Sequence, residues 1–311
     1  MDALITVTLP IFGIMLAGYL AGRFRLLGQD STAALNGFVY FVALPALFIK
    51  AMAEAPFEQI FNGPFLAAWY GGQLGVFAVA LLIATFVFRD RLGALSMHSI
   101  SAIFANTGYM GIPLLMTAFG DAATLPAVIV TVANGAVVMA FLTVILEIDR
   151  SSGSLANIAK DVGLGLVKSP LVLSAAFGLT LSALQVQIPG PIVTFLDLLG
   201  DAAGPCALFA MGLFLVGQSI RRGAIEVCWV SALKLIAHPL LTWWIASEVL
   251  VMPPIYVACA VIMAALPTGS LIFVVGERYG IYVQRAAAII LVSTVASVPT
   301  VSFVVQHYVG G

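Results

Sequence analysis

Charged residues are scarce in this chain. Asp, Glu, Lys and Arg together make up 9% of its 311 residues, whereas a soluble domain carries about 25%. Hydrophobic residues make up 62% of the sequence, and its mean hydropathy is +1.11. So few charges could not cover a soluble protein of this length, and the composition predicts a polytopic membrane protein. The sequence has no basic stripe, so nucleic acid is not an expected partner.

Cysteine and catalytic motifs are equally sparse. The three cysteines, Cys206, Cys228 and Cys259, lie in apolar segments without metal-ligand spacing, which is typical of small buried residues. No Ser/His/Asp set, HExxH motif or P-loop is present, and Gly163 and Gly165 follow no predicted strand. The sequence therefore predicts no enzyme, no ATP-driven pump, no cofactor and no metal site.

Long apolar runs are abundant instead. A spanning helix needs about 20 mostly apolar residues. The N-terminus lacks the basic region of a cleaved signal peptide, so the first run is expected to be a retained helix. Ten segments qualify as spans, at about 3–22, 33–50, 64–88, 94–118, 124–147, 169–187, 191–217, 226–249, 254–275 and 284–308.

The basic residues predict how these spans are oriented. Of the 13 Lys and Arg residues, 11 lie in the loops after odd-numbered spans, while Lys50 lies on the opposite side and Lys234 is embedded. Basic loops stay in the cytoplasm, so both termini are expected outside it. The 11 residues are Arg23, Arg25, Arg89, Arg91, Arg150, Lys160, Lys168, Arg221, Arg222, Arg278 and Arg285.

Two of the spans contain residues that interrupt a helix. Proline lacks an N–H group and glycine weakens a helix, and freed backbone groups cannot face lipid. Broken helices at matching places in two halves of a chain indicate a transporter site. The fourth span contributes Asn106, Thr107, Gly108, Gly111 and Pro113, and the ninth contributes Pro267, Thr268, Gly269 and Ser270.

The chain divides into two inverted five-helix repeats on this interpretation. Residues 1–150 form the first repeat, residues 151–168 a cytoplasmic loop, and residues 169–311 the second repeat. The second and seventh spans support the division, because Leu44–Phe48 reads LPALF and Gly204–Phe209 reads GPCALF.

The interrupted stretches can bind an anion. The N-termini of half-helices carry free N–H groups and partial positive charge, and the Asn106 amide can donate and accept hydrogen bonds. The alternative is a kinked packing helix in which Asn106 bonds a neighbour. Thr268 and Ser270 could likewise bond back to helix carbonyls.

Lys234 is the one basic side chain well inside a span. An intramembrane charge suggests function, and Lys234 could pair with substrate, replace a coupling ion or proton, or snorkel. His238 could titrate near neutral pH or bond a carbonyl freed by Pro239. The neutral residues Asn36, Gln73 and Asn134 can each bridge helices.

Several of these motifs resemble one family. The run Asn106–Leu115, NTGYMGIPLL, resembles the fourth-helix signature of the auxin efflux carrier family, which includes the plant PIN-FORMED proteins. The run Ala264–Gly269, AALPTG, is similar to its ninth-helix signature. Asn36 with Pro45 resembles its second helix, and Lys234 followed by Pro239 resembles its eighth. The short central loop is similar to that of bacterial members.

The resemblance implies a fold related to sodium–proton antiporters and bile-acid symporters. Helices 4 and 9 would cross at their prolines beneath the substrate, with Asn106 as the crossover Asn and Pro267 as the ninth-helix Pro. Helices 1, 2, 6 and 7 would form a scaffold, and helices 3–5 and 8–10 a transport domain. The second span would contribute Asn36 and Leu44 to the substrate site. Residues 67–73 lack the acid and Lys that some plant members have in the third helix.

The family's substrates are organic anions, namely auxin or dicarboxylates such as malonate and malate. We therefore expect a secondary carrier of small organic anions that works by elevator-like alternating access in the lipid of a bacterial inner membrane, as a homodimer through the scaffold. Coupling to a proton, to sodium or to neither stays open. The alternatives are a sodium or proton antiporter and a non-transporting sensor. The antiporter would need an intramembrane carboxylate near the crossover, whereas the acids of this chain lie at or near the ends of the predicted spans.

Overall fold

The computed structural model describes residues 7–56, 62–149, 163–164, 167–218 and 223–309. Within these ranges the regular structure is helical, apart from one isolated β-bridge. We label the helices α1 (Leu9–Arg23), α2 (Asp30–Glu54), α3 (Gly63–Val87), α4 (Leu92–Ser101), α5 (107–119), α6 (124–149), α7 (Pro170–Ala183), α8 (Gly190–Leu215), α9 (Ala224–Val249), α10 (Pro254–Ala265), α11 (Leu271–Tyr279) and α12 (Val283–Val309).

Six helical runs in the described part of the chain are long and apolar enough to cross a membrane. They are α2, α3, α8, α9, α12 and the run Thr107–Asp149, while α1, α7 and α10 are shorter apolar helices. If straight, the 43 residues of Thr107–Asp149 would extend about 65 Å, roughly twice a membrane core. Gly120 interrupts the run with a φ of +63°, and α5 packs against α6.

Three internal prolines are accommodated by widened helical turns. A proline at position i removes one N–H and its ring crowds the carbonyl at i−4, and a π-turn at that place relieves the crowding. The prediction that Pro113 breaks the fourth helix is wrong, because the break lies before Thr107 and the helix continues through Pro113. The three π-turns are Val39–Ala43 before Pro45, Thr107–Gly111 before Pro113 and Leu233–Ala237 before Pro239.

The helices α1, α2, α7 and α8 pack on one another, and we call them the first helix group. α1 lies against α8, and α2 lies against both α7 and α8. Glycine allows the backbones to approach closely. A Cβ on Gly212 would come within 2.0 Å of the Met15 carbonyl oxygen, and one on Gly178 within 2.5 Å of the Ile49 carbonyl oxygen.

The helices α3–α6 and α9–α12 form the second helix group. α9 packs against α3, α10 and α12, and α4 packs against α3 and α6. The close approach of α3 to α9 again depends on glycine, since a Cβ on Gly72 would meet Thr242 Oγ1 at 2.1 Å. α5 and α6 also contact the first group, through α8 and α2 respectively.

Candidate functional site

Two non-helical segments, 102–106 and 266–270, lie between α4 and α5 and between α10 and α11, and they meet side by side. Ala105 and Thr268 form an isolated antiparallel bridge. The bridge gives partners to backbone groups that neither helix can satisfy. Two hydrogen bonds of 2.9 Å flank it, from Asn106 N–H to Pro267 O and from Gly269 N–H to Phe104 O.

Thr268 connects the bridge to the end of α4 and to the middle of α12. Its N–H donates to Ser293 Oγ at 3.1 Å, and its hydroxyl donates to the Ser101 carbonyl at 2.8 Å. Thr268 is fully buried and does not line the cavity described below. The structure therefore gives Thr268 a role in holding the two broken helices together.

A buried amide pair supports the other side of the bridge. Asn134 Nδ2 donates to the Ala105 carbonyl at 3.1 Å, and Gln73 Nε2 donates to Asn134 Oδ1 at 2.9 Å. The prediction that Gln73 and Asn134 bridge helices is confirmed, because the pair joins α3 to α6.

A cavity of about 510 Å³ lies where the two helix groups meet. One wall comes from α2, α7 and α8 of the first group, and the other from the bridge, α5, α6 and α11 of the second group. The cavity brings together seven residues that the sequence singled out: Asn36, Leu44, Asn106, Thr107, Gly108, Gly269 and Ser270.

Two helix N-termini face this cavity. α5 begins at Thr107 and α11 begins at Leu271, and both residues line the cavity wall. The first N–H groups of a helix have no partner within it, and each terminus carries about half a positive charge. Among the described lining residues there is no Asp, Glu, Lys or Arg. The positive potential in the cavity therefore comes from backbone dipoles.

The Asn106 side chain adds a free donor at the same place. Asn106 is 5% exposed, and its Nδ2 has no hydrogen-bond partner among the described residues. A buried donor left without a partner costs about 1–3 kcal/mol. The Asn106 amide can therefore donate to an oxygen of a bound molecule. Asn36 Oδ1 also has no partner among the described residues, so it can accept a hydrogen bond from a donor of that molecule.

Five of the predicted residues lie outside the cavity lining, namely Gly111, Pro113, Pro267, Thr268 and Lys234. Gly111 permits close packing, because a Cβ there would meet Met263 Sδ at 2.4 Å. Pro113 packs on Gly204 of α8, where a Cβ would lie 2.8 Å from the Pro113 Cβ.

Lys234 is fully buried and reaches the end of α10. Its Nζ donates to the Ala264 carbonyl at 2.6 Å and lies 3.2 Å from His238 Nδ1. The last carbonyl groups of a helix have no partner within it, so the hydrogen bond from Lys234 Nζ stabilises the end of α10. The structure places Lys234 away from the cavity surface.

The sequence reasoning missed a buried charged cluster at the start of α9. His98 Nδ1 and Glu226 Oε1 are 2.8 Å apart, the Tyr282 hydroxyl donates to Glu226 at 2.6 Å, and Arg285 joins Glu226 to Asp90. These residues come from distant parts of the chain and carry no shared motif, so no local pattern could have revealed them.

The two cluster residues that lie between helices have perturbed pKa values. The hydrogen bond from Arg285 lowers the pKa of the Asp90 carboxyl below its ordinary value. Burial raises the pKa of the Tyr282 hydroxyl well above its ordinary value, and the neighbouring Glu226 charge raises it further. At neutral pH the cluster therefore holds an ionised Asp90 and a neutral Tyr282.

Comparison with known proteins identifies the kind of molecule. Residues 3–305 match the family described as "Membrane transport protein". The chain is 33% identical over 298 residues to the "Putative malonate transporter" of Rhizobium meliloti (strain 1021), with 94% of this chain and 92% of that protein covered.

Two more distant relatives extend the comparison. An uncharacterized transporter of Escherichia coli (strain K12) is 25% identical over 316 residues, which cover 94% of this chain and 93% of that protein. Auxin efflux carrier component 1 of Arabidopsis thaliana is 24% identical over 140 residues, which cover 43% of this chain and 22% of that protein. With its apolar helices, the protein is a multi-pass membrane transporter rather than an enzyme, and it belongs to the auxin efflux carrier family.

Proposed function

We propose that this protein is a secondary carrier of small organic anions, and that the cavity between the two helix groups is its substrate site. One observation carries the proposal: the N-termini of α5 and α11 and the free Asn106 amide converge on a cavity whose described lining has no charged side chain. This arrangement suits a carboxylate, since backbone N–H groups and a helix dipole stabilise negative charge without a fixed countercharge.

Dicarboxylates are our first substrate class. Each helix N-terminus can stabilise one carboxylate, and two termini line the same cavity. Hydrogen bonds to a charged group contribute about 1.5–3 kcal/mol each, so two carboxylates gain more here than one. The name of the Rhizobium meliloti relative, which mentions malonate, agrees with this class.

Aromatic monocarboxylates of the auxin type are the second class. The observation in their favour is the number of aromatic rings in the cavity lining, which Tyr40, Phe41, Phe104, Tyr109 and Phe214 supply from both walls. A sodium or proton antiporter on the same fold is the weaker alternative, because such a site needs a carboxylate and the described cavity lining has none.

We further propose ten membrane crossings in two inverted five-helix repeats. In this arrangement α4 with α5 forms one crossing and α10 with α11 forms another. The reciprocal bridge supports the symmetry, because exchanging the two halves converts the Asn106–Pro267 hydrogen bond into the Gly269–Phe104 one. The repeats would be residues 1–150 and 169–311, joined by a cytoplasmic loop at 151–168 that lies largely outside the described residues.

Transport would proceed by an elevator-like movement of the second helix group against the first. The position of the cavity at the boundary of the groups supports this, since sliding would carry the N-termini of α5 and α11 with the bound anion. The first group would be the scaffold and would form a homodimer in the lipid bilayer. The membrane would be a bacterial inner membrane, and the distribution of Lys and Arg supports an orientation with both termini outside the cytoplasm.

Uptake into proteoliposomes tests the proposal. Radiolabelled malonate should exchange against internal malonate, and Asn106→Ala should lower the exchange rate at subsaturating malonate by about tenfold, through loss of one hydrogen bond to a charged group. Thr194→Ala, on an exposed part of α8, is the matched control and should leave exchange unchanged. Exchange at the wild-type rate in a folded Asn106→Ala variant would rule out this role for Asn106.

A further inference from the structure

A column of polar side chains runs along the buried face of α9, separate from the cavity. Its members recur at intervals of three or four residues, which places them on one side of a helix. None is more than 4% exposed. They are Ser231, Lys234, His238 and Thr242.

Lys234 lies at the centre of this column and has no acidic partner. Its Nζ contacts two neutral groups, the Ala264 carbonyl and His238 Nδ1, and it forms no ion pair with any described residue. The Trp69 ring covers the other side of His238, with ring centroids 5.5 Å apart. A permanent ammonium buried without a counter-ion is costly, whereas a neutral amine at this place is not.

In the described part of the chain, the elements packed against α9 bring further polar groups but no carboxylate that contacts Lys234. α3 buries Trp69 and Gln73, α10 buries Cys259, and α12 buries Ser293 and Thr294. The acids of α9 itself lie towards its two ends. Glu226 is in the first turn, held by His98, Tyr282 and Arg285, and Glu248 is in the last.

The column also contains unsatisfied polar atoms. Ser231 Oγ, His238 Nε2, Thr242 Oγ1 and Thr294 Oγ1 have no partner among the described residues. Buried polar atoms in folded proteins bind protein groups or water in the great majority of cases. Such atoms lie on α9 both before and after Lys234, where water bound to them would give a proton a route to the amine.

We propose that Lys234 and His238 form a proton-binding site, and that the carrier moves its anion together with one proton held by this pair. The inference rests on the proposed function. In the empty carrier the Lys234 amine is neutral, and when the anion is bound a proton from water adds to the lone pair of Nζ. The proton returns to water on the other side of the membrane after the anion leaves, so no other bond is made or broken.

Electrostatic linkage is the reason for the coupling. Lys234 holds the end of α10, and the same chain segment continues through Pro267 to Ser270 at the cavity. A negative charge bound in the cavity favours the ammonium form of the Lys234 amine, which is buried in the same helix group. The ammonium form equally favours the anion, because coupling between two sites is reciprocal. The proton on the Lys234–His238 pair therefore offsets one negative charge of the anion that is bound to the second helix group.

The coupling ion is identified by a gradient experiment in proteoliposomes. With the membrane potential held at zero by potassium and valinomycin, a pH difference of about one unit, alkaline inside, should accumulate malonate about tenfold over the outside, since one proton per anion transmits the full gradient. Protein-free vesicles measure diffusion of the undissociated acid, which is subtracted. Accumulation driven by a sodium gradient and independent of pH would overturn the inference.

Substitution of Lys234 locates the proton. Lys234→Arg keeps a positive charge that cannot be released, so malonate accumulation should fall from tenfold to none while malonate exchange continues. Lys50→Arg, in the first helix group, is the matched control and should behave as wild type. Undiminished pH-driven accumulation in Lys234→Arg would show that the proton travels on the substrate and would overturn the site.

A measurement on the wild-type protein tests the coupling without requiring that any variant folds. Malonate added to the purified carrier in weak buffer at alkaline pH should cause uptake of about one proton per anion bound, which a pH indicator dye records. Anion binding without proton uptake contradicts the coupling but leaves the proposed function intact. Absence of both binding and exchange of malonate and indole-3-acetate contradicts the proposed function itself, and the coupling with it.

Discussion

The two helix groups differ most in what they bury. In the described part of the first group, the buried polar side chains are Thr8, beside α1, and Ser174 in α7. The second group buries amides, hydroxyls, two histidines, a lysine and a glutamate, which include Gln73, His98, Asn134, Glu226, Lys234, His238, Thr268 and Ser293. In the described residues, helices of the first group are held mainly by close backbone packing with a few partly exposed polar contacts such as Lys50–Asp197, whereas those of the second group are also held by buried hydrogen bonds.

This difference suits the two groups to different tasks. Contacts between small residues fix one geometry, since packed backbones tolerate little displacement. Non-helical backbone inside a membrane needs buried polar partners for its N–H and C=O groups. In the second group, the bridge between Ala105 and Thr268 provides such partners. The contrast agrees with a rigid scaffold and a binding element, as proposed above, and three predictions test it.

The largest effect is expected from removing Glu226, the buried acid of the second group, and an ion pair of the first group serves as the comparison. Glu226→Ala leaves His98 and Arg285 without their buried acceptor, and removal of one partner from a buried pair costs about 3–5 kcal/mol. Asp197→Ala breaks the Lys50–Asp197 pair of the first group, whose side chains are 27% and 40% exposed, and exposed pairs contribute about 0–1 kcal/mol. Thermal unfolding in detergent measures both. Equal losses would contradict the contrast between the groups.

An intermediate effect is expected from filling a glycine contact of the first group. Gly212→Ala places a methyl group against the Met15 carbonyl, at 2.0 Å in the present arrangement, and must push α1 away from α8 at a cost of about 1–3 kcal/mol. Gly13→Ala on α1 is the control, because its Cβ would have no neighbour within 4 Å and alanine favours a helix. A Gly212→Ala variant as stable as wild type would show that the first group is not tightly packed.

The smallest effect is expected at Asp90. Its pKa is lowered from the ordinary value of 3.8 by Arg285, so the stabilisation is present above that value and is lost as the pH falls through the lower folded-state pKa. Asp90→Asn should therefore be less stable than wild type at neutral pH, by at most about 1 kcal/mol because the pair is partly exposed. The difference should vanish at strongly acidic pH, which unfolding curves at several pH values would reveal.

Several residues that the sequence singled out line the cavity, but their geometry differs from the sequence-based expectation. Asn106 and Ser270 both line the cavity, since Asn, Gly, Pro and Ser in an apolar run mark interrupted helices from local chemistry alone. Pro113 was given too large a role. A π-turn absorbs it, and the chain breaks where Thr268 and Asn134 offer partners to the backbone.

Lys234 and the Glu226 cluster show where local reasoning ends. The sequence placed Lys234 inside a span but could not identify its partner, the Ala264 carbonyl, because helix packing decides which helix end lies within reach of a long side chain. No local pattern singles out Glu226, because its burial depends on His98, Tyr282 and Arg285 arriving from other parts of the chain.

The amino-acid sequence by itself determined that this is a helical membrane protein with two interrupted helices, because hydropathy and helix propensity act over a few neighbouring residues. Only the tertiary structure decided that the two interruptions meet at Ala105 and Thr268, that two helix N-termini share one cavity and that Lys234 faces His238 rather than that cavity. These relations join residues far apart in the chain, and the packing of the helices sets their distances.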